Sequence, residues 1–357
     1  MRELPTPLSV SCLEDLGWGL FHDRQLSLLP EGEHSPARVI DVHRSRLHLV
    51  APGIDTSLPP PGNVDNGPVT VGDWVLLDRS QQKIVGLLER SSLFRRKAPG
   101  TGRDVQLIAA NVDTLLIVSS CNLDFNEARL ERYLAIGREA QVMSIVVLTK
   151  ADLCDDPSEY VKRASRLSPG LLVEAVNALS RTSLSCLDTW LAKGQTIALL
   201  GSSGVGKSTL SNTLRGMDDL ATQAVRSDDD KGRHTTTSRQ MYRLPGGSWI
   251  VDTPGMRELQ LTDVQTGLDD VFAEITGAAK ECRFGDCTHD AEPGCAVRAA
   301  IESGKIDADR FSRWRKLVRE EAHNRESIAE RRARDKSTGK LYKKIISETQ
   351  RKKGRDI

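Results

Sequence analysis

The stretch TIALLGSSGVGKSTLSNTLRG, residues 196–216, decides how the rest of the chain is read. Its centre, GSSGVGKST (201–209), fits the pattern Gly-x-x-x-x-Gly-Lys-Ser/Thr. An apolar run precedes it and a helical pattern follows, which is the strand–loop–helix context of a phosphate-binding loop. Gly201, Gly204 and Gly206 let the loop wrap phosphate oxygens, with Ser202, Ser203 and Val205 offering backbone N–H groups between them. The following helix presents its positive end. Lys207 is placed to bridge the β- and γ-phosphates, and Ser208, with Thr209 beside it, to ligate Mg²⁺.

Working outward, VDTPG (251–255) ends a second apolar strand. Asp252 suits the Mg²⁺ site and the Gly255 N–H can sense the γ-phosphate. On the other side, TKAD (149–152) ends a buried strand, SIVVLTK. The Asp152 carboxylate can accept from the guanine N1–H and 2-amino group, a donor pair adenine lacks, and Lys150 can lie along the base. Thr149 stands where many GTPases have Asn, so a side-chain bond from this loop to the phosphate loop is an open question. The small residues at 176–178 offer a backbone loop for guanine O6. The expected nucleotide is therefore GTP or GDP with Mg²⁺.

VDTLLIVSS (112–120), the helical EARLERYLAIGREA (127–140), SIVVLTK, GLLVEAVNA (170–178) and TIALLG (196–201) follow a strand–helix–strand rhythm. That rhythm predicts a parallel α/β sheet. A helix is expected over 183–192. Residues 36–95 contain ARVIDV, RLHLVA, DWVLLD and KIVGLLE, broken by Pro and Gly, and predict a small β-barrel, OB-like or another Greek key. FRRKAPGTGRD (94–104) reads as a linker, and SDDDKGRHTTTSRQ (227–240) as a polar switch loop. One of its threonines should ligate Mg²⁺, Thr236 before Thr235. Met256 follows Gly255 where Ras-like enzymes have a water-orienting Gln, and His234 is the candidate replacement.

ECRFGDCTHDAEPGCAV (281–297) offers Cys282, Cys287, His289 and Cys295, a ligand set for one closed structural Zn²⁺ site. The chain's net charge of +1 hides a basic end: residues 310–357 hold 17 Lys/Arg against 7 Asp/Glu, or +10. Such an end faces a polyanion, RNA first. No apolar run reaches the roughly 20 residues of a membrane helix and the first residues lack a signal-peptide pattern, so a cytoplasmic, non-membrane protein is expected. No heptad pattern calls for a dimer, so a monomer is expected.

In ordinary GTPases the phosphate loop precedes the base-reading motif; here TKAD precedes it by about fifty residues. This order, followed by GRHTTT (232–237), DTPG and the Cys/His cluster, resembles the RsgA (YjeQ) family of small-ribosomal-subunit-dependent GTPases over residues 36–335. The resemblance implies an OB-fold barrel, a circularly permuted P-loop GTPase domain and a mainly helical zinc-binding domain; the expected bounds are 1–104, 105–265 and 266–335, and the charge count adds a basic tail in 336–357. It also supports a catalytic role for His234, beside those that the motifs give Lys207 and Thr236. The implied partners are the small ribosomal subunit and its rRNA, with GTP hydrolysis stimulated by that subunit during late maturation. A nucleotide-gated RNA-binding module and a general P-loop ATPase are the competing readings of the same motifs.

Overall fold

The computed structural model describes residues 10–28, 34–43, 45–62, 65, 67–78, 80, 82–97, 105–217, 239–252, 256, 264–322 and 324. The chain divides into two compact units, one holding 1–98, 104–260 and 266–273, the other holding 99–103, 261–265 and 274–357.

The first unit is built on apolar strands long enough to be buried on both faces. β8 (Thr114–Ser120) is buried throughout and β9 (Met143–Thr149) over its last five residues. Together with β10 (Leu172–Ala175), β11 (Thr196–Leu200), β12 (Arg239–Arg243) and β13 (Trp249–Asp252) they form a sheet in the order β10-β9-β8-β11-β13-β12. Every pair is parallel except β12 with β13. Continuous runs of Val, Ile and Leu suit this, because helices cover both faces of a parallel sheet. Helix α2 (Glu127–Glu139) starts where Asn126 caps it by accepting from the Arg129 N–H at 2.9 Å. Helix α3 (Pro157–Ser165) starts at the cap Asp156 with Pro at its first turn. Leu116, Val118, Ile145, Val147, Ile197 and Leu210 share one core.

The barrel is the same sheet continued. β1 (His34–Val42) pairs antiparallel with β2 (Leu47–Ala51) and with β4 (Trp74–Asp78). β2 pairs with β3 (Ile54–Leu58), and β4 with β5 (Lys83–Leu87). One first strand shared by its second and fourth is the connectivity of a partly open OB-like barrel, which resolves the alternative left by the sequence. The last residues of β1 also pair with β12, Asp41 with Gln240 and Val42 with Arg239. The seam between barrel and α/β sheet is closed by a buried cation. The Arg38 guanidinium donates to the Leu16 carbonyl and to the Asn111 carbonyl (3.0 Å) and lies over Trp74. Leu16 belongs to a 3₁₀ turn, Leu13–Leu16, whose Asp15 carbonyl accepts from the Trp249 indole at 2.8 Å. The short helix α1 (Leu20–Leu26) follows, with His22 between Trp18 and Trp74.

Three local expectations change. Residues 94–97 are not linker. β6 (Leu93–Lys97) pairs with β7 (Val105–Ala110), because Phe94 is buried while Arg95 faces solvent, an alternation that the basic residues hid. Residues 239 and 240 open β12 rather than ending a loop. The helix expected over 183–192 is a 3₁₀ helix, Ser183–Trp190.

Helix α5 (Gln265–Val271) belongs to the first unit. The second unit is helical, with α6 (Ala273–Lys280), α7 (Ala296–Glu302) and a helix over 308–322, named α8. Among the described residues no helix is long and apolar enough to cross a membrane.

Candidate functional site

Because β8, β9, β10, β11 and β13 run parallel, the loops at their C-terminal ends share one edge of the sheet, where open α/β folds bind ligands. The phosphate loop leaves β11 at Gly201, where a β-carbon would come within 2.3 Å of the Val118 carbonyl of β8; only glycine fits. Val205 is buried in the core and anchors the loop, while Ser203 and Gly204 are exposed. Gly206, at φ +93°, turns the chain into helix α4 (Lys207–Arg215), whose first turn carries Ser208 and Thr209. Lys207 is buried, and its Nζ donates to the Gly201 carbonyl at 2.7 Å and to the Ser202 carbonyl.

Three loops distant in sequence are bonded into one frame. The Thr149 hydroxyl donates to the Val205 carbonyl at 2.5 Å and lies 3.0 Å from the Ser119 carbonyl, so a threonine makes the link to the phosphate loop that the missing Asn left open. The Ala151 N–H donates to the Val176 carbonyl at 3.3 Å, tying the TKAD loop to residues 176–179. Those residues are held in turn by α4, where the Thr213 hydroxyl donates to the Ala178 carbonyl at 2.7 Å. Lys150 takes a left-handed conformation (φ 59°, ψ 29°) that lets Asp152 emerge, exposed, on the outer side of the frame.

Asp252 ends β13 one residue beyond the pair Ala198–Val251, beside the strand that enters the phosphate loop. Ser208, in the first turn of α4, is half-buried and carries an oxygen of the kind that suits a hard cation such as Mg²⁺. His234, Thr235, Thr236 and Gly255 lie outside the described residues. Met256 is buried in the protein interior and has no hydrogen to donate, so it cannot orient water.

Sequence reasoning missed Arg129 and Thr213. The Arg129 Nη1 donates to the Ser202 hydroxyl at 2.7 Å. In sequence both are ordinary polar positions of amphipathic helices, and only the strand order brings them to the site.

The second unit holds the candidate metal centre. The ligand atoms of Cys282, Cys287, His289 and Cys295 all lie within 4.8 Å of one another. Cys282 and Cys295 sulfurs are 3.9 Å apart, and His289 Nδ1 is 3.6 and 3.4 Å from them. Tetrahedral bonds of about 2.3 Å to sulfur and about 2.0 Å to nitrogen require separations of roughly 3.8 and 3.5 Å, so the donor set fits Zn²⁺. Burial opposes ionisation of Cys282, but the N–H groups of Val297 and Ala296 at the start of α7, with the Cys287 and Cys295 thiols, together outweigh it and lower its pKa. Burial, then the neighbouring thiols, push Cys287 up to about 11. The Arg298 N–H reaches the Cys295 sulfur at 3.5 Å, a contact that supports a thiolate. Glu292 accepts from Thr288, Asp290 and Ala291 and fixes the intervening loop. Trp314 and Phe311 of α8 stack on each other and pack against His289, and Arg315 pairs with Asp290 at 2.6 Å.

Comparison with known proteins agrees with this geometry. The RsgA GTPase family model matches residues 87–262. The chain is 48% identical over 340 residues to the small ribosomal subunit biogenesis GTPase RsgA 2 of Vibrio parahaemolyticus, covering 95% of this chain and 94% of that protein. It is 48% identical over 315 residues to the RsgA of Mesorhizobium japonicum, covering 87% and 90%. Among solved structures it resembles YjeQ from Thermotoga maritima (TM-score 0.58, 23% identity, 80% of this chain and 97% of that one). It also resembles YloQ, a circularly permuted GTPase (TM-score 0.55, 20% identity, 80% and 94%). With a TKAD loop that precedes the phosphate loop in the chain yet is bonded to it in space, a Cys₃His cluster after both, and relatives 48% identical over most of its length, this protein belongs to the RsgA family of circularly permuted GTPases.

Proposed function

We propose that this GTPase binds the small ribosomal subunit and its rRNA and acts in late maturation of that subunit, hydrolysing GTP to GDP and phosphate with activity stimulated by the subunit. The observation that carries the reading is 48% identity, over 95% and 87% of this chain, to relatives named small ribosomal subunit biogenesis GTPases. The proposed division is a barrel and N-terminal segment in 1–104, the GTPase domain in 105–265, the zinc domain in 266–335 and a basic tail in 336–357. A cytoplasmic monomer fits this role.

In this reading Gly201, Ser202, Ser203, Gly204, Val205, Gly206 and Thr209 cradle the phosphates. Lys207 leaves the loop carbonyls it holds and neutralises charge on the β- and γ-oxygens as the bond to the leaving group lengthens. Asp152 reads guanine, with Lys150 along the base and Thr149 locking that loop to the phosphates. Ser208, Thr236 and Asp252 would hold Mg²⁺, which supplies charge neutralisation at the β- and γ-phosphates. Gly255 senses the γ-phosphate. With Met256 buried, His234 takes the part of orienting water, and Thr235 is the second candidate for the switch-loop Mg²⁺ ligand. A site without a built-in Gln turns over slowly until a partner completes it. Cys282, Cys287, His289 and Cys295 hold one structural Zn²⁺, and Arg313, Arg315, Lys316 and Arg319 on α8 offer phosphate contacts.

The test is GTP hydrolysis with purified small subunits, large subunits as control and ATP as competitor. Small-subunit-selective stimulation with GTP preference is expected. Hydrolysis without stimulation would remove the ribosomal partner, and a preference for ATP would remove the role of Asp152.

A further inference from the structure

We propose that Arg129 is a positioning residue of the phosphate site, holding the phosphate loop through Ser202 and favouring the triphosphate over the diphosphate. The proposal rests on reading 201–209 as the GTP cradle.

The geometry is specific. Asn126 caps α2 by accepting the Arg129 backbone N–H, which fixes where the side chain departs. Two residues earlier, Glu127 is engaged by the Arg163 guanidinium at 2.9 Å. Among the described residues no carboxylate pairs with Arg129; its guanidinium is half-buried and donates to the Ser202 hydroxyl at 2.7 Å. The carbonyl of the same Ser202 receives Lys207. Two cations from different helices thus converge on one residue of the phosphate loop.

Like charges brought together in a partly buried setting repel, and the repulsion is relieved when an anion arrives. The relief grows with the charge of that anion, so GTP, with one phosphate more than GDP, gains more. A guanidinium has five donors and one is committed to Ser202, so it can hold the loop and keep its positive charge beside it. Hydrogen bonds to charged groups contribute enough for a change of about ten-fold.

Arg129→Ala, Arg129→Lys and Ser202→Ala test this, each measured for kcat and KM of unstimulated hydrolysis and for affinity toward GDP and a non-hydrolysable GTP analogue. Arg129→Ala is expected to lower kcat/KM about ten-fold and to reduce the ratio of GTP-analogue to GDP affinity. Arg129→Lys, which keeps the charge, should restore much of that ratio. Ser202→Ala, which keeps the charge but frees it from the loop, should fall between. Wild-type kcat/KM and ratio in Arg129→Ala would overturn the proposal. So would equal losses for both nucleotides accompanied by a lower Tm, the mark of a merely structural residue. A wild-type chain that binds neither nucleotide would overturn the GTP reading of the cradle, and this proposal with it.

Discussion

The Thr149 hydroxyl lies 2.5 Å from the Val205 carbonyl, joining the loop after β9 to the phosphate loop after β11 across 56 residues of sequence. Thr149 is fully buried, so neither partner can turn to water if the other is lost. A bond of this kind contributes about 1 kcal/mol net. It also fixes the distance between the TKAD loop and the phosphate loop.

Thr149→Val keeps the shape and removes the hydroxyl. Affinity for fluorescent GDP should fall about five-fold, with the fold intact by circular dichroism. Thr149→Asn, which restores a donor at this place, should recover most of the loss. Unchanged affinity in Thr149→Val would show that the two loops are held together by packing alone.

The Cys₃His cluster leads to a separate expectation. Elemental analysis should find one zinc per chain, and Cys295→Ser should lose it. Structural zinc contributes on the order of 10 kcal/mol to small domains, so the metal-free second unit should lose helical content and cooperative unfolding. GDP affinity, which belongs to the first unit, should change less than about two-fold, well inside a single hydrogen bond's worth. Full helicity after chelation would mean that α6, α7 and α8 hold the knuckle without metal.

His22 makes the barrel seam sensitive to acid. It is buried between Trp18 and Trp74, and burial, then the Arg38 charge, lower its pKa from 6.5 to about 4. The folded chain keeps this ring neutral where the unfolded chain protonates it. Its contribution is therefore complete above pH 6.5, falls as pH drops through the window from 6.5 to about 4, and is gone below it. The full window corresponds to roughly 3 kcal/mol. Urea titrations of wild type and His22→Phe at pH 7 and pH 4.5 should differ in slope against pH, with the variant losing less stability. Parallel losses would place the acid sensitivity elsewhere.

Much of the site was legible because its chemistry is local. GSSGVGKST carries its own strand, turn and helix start, since glycines at fixed spacing are needed wherever backbone must approach phosphate. The Cys/His cluster likewise spans few residues, and the permuted order of TKAD and the phosphate loop is a property of the chain alone. The apolar strands announced a parallel sheet, because burial on both faces leaves no alternation to read.

What the sequence withheld is everything that depends on which strand lies beside which. Phe94 and Arg95 form a strand only because β7 returns to pair with them. The OB-like barrel was one of two candidates until β1 was found between β2 and β4, and nothing local told that its last residues also pair with β12. Arg129 is one more charged residue on an amphipathic helix until the sheet order sets α2 beside the phosphate loop. The sequence by itself determined the chemistry of each loop, because that chemistry is written in adjacent side chains. Tertiary structure decided which loops meet, because strand order and register are settled by the summed burial and hydrogen bonding of segments far apart in the chain.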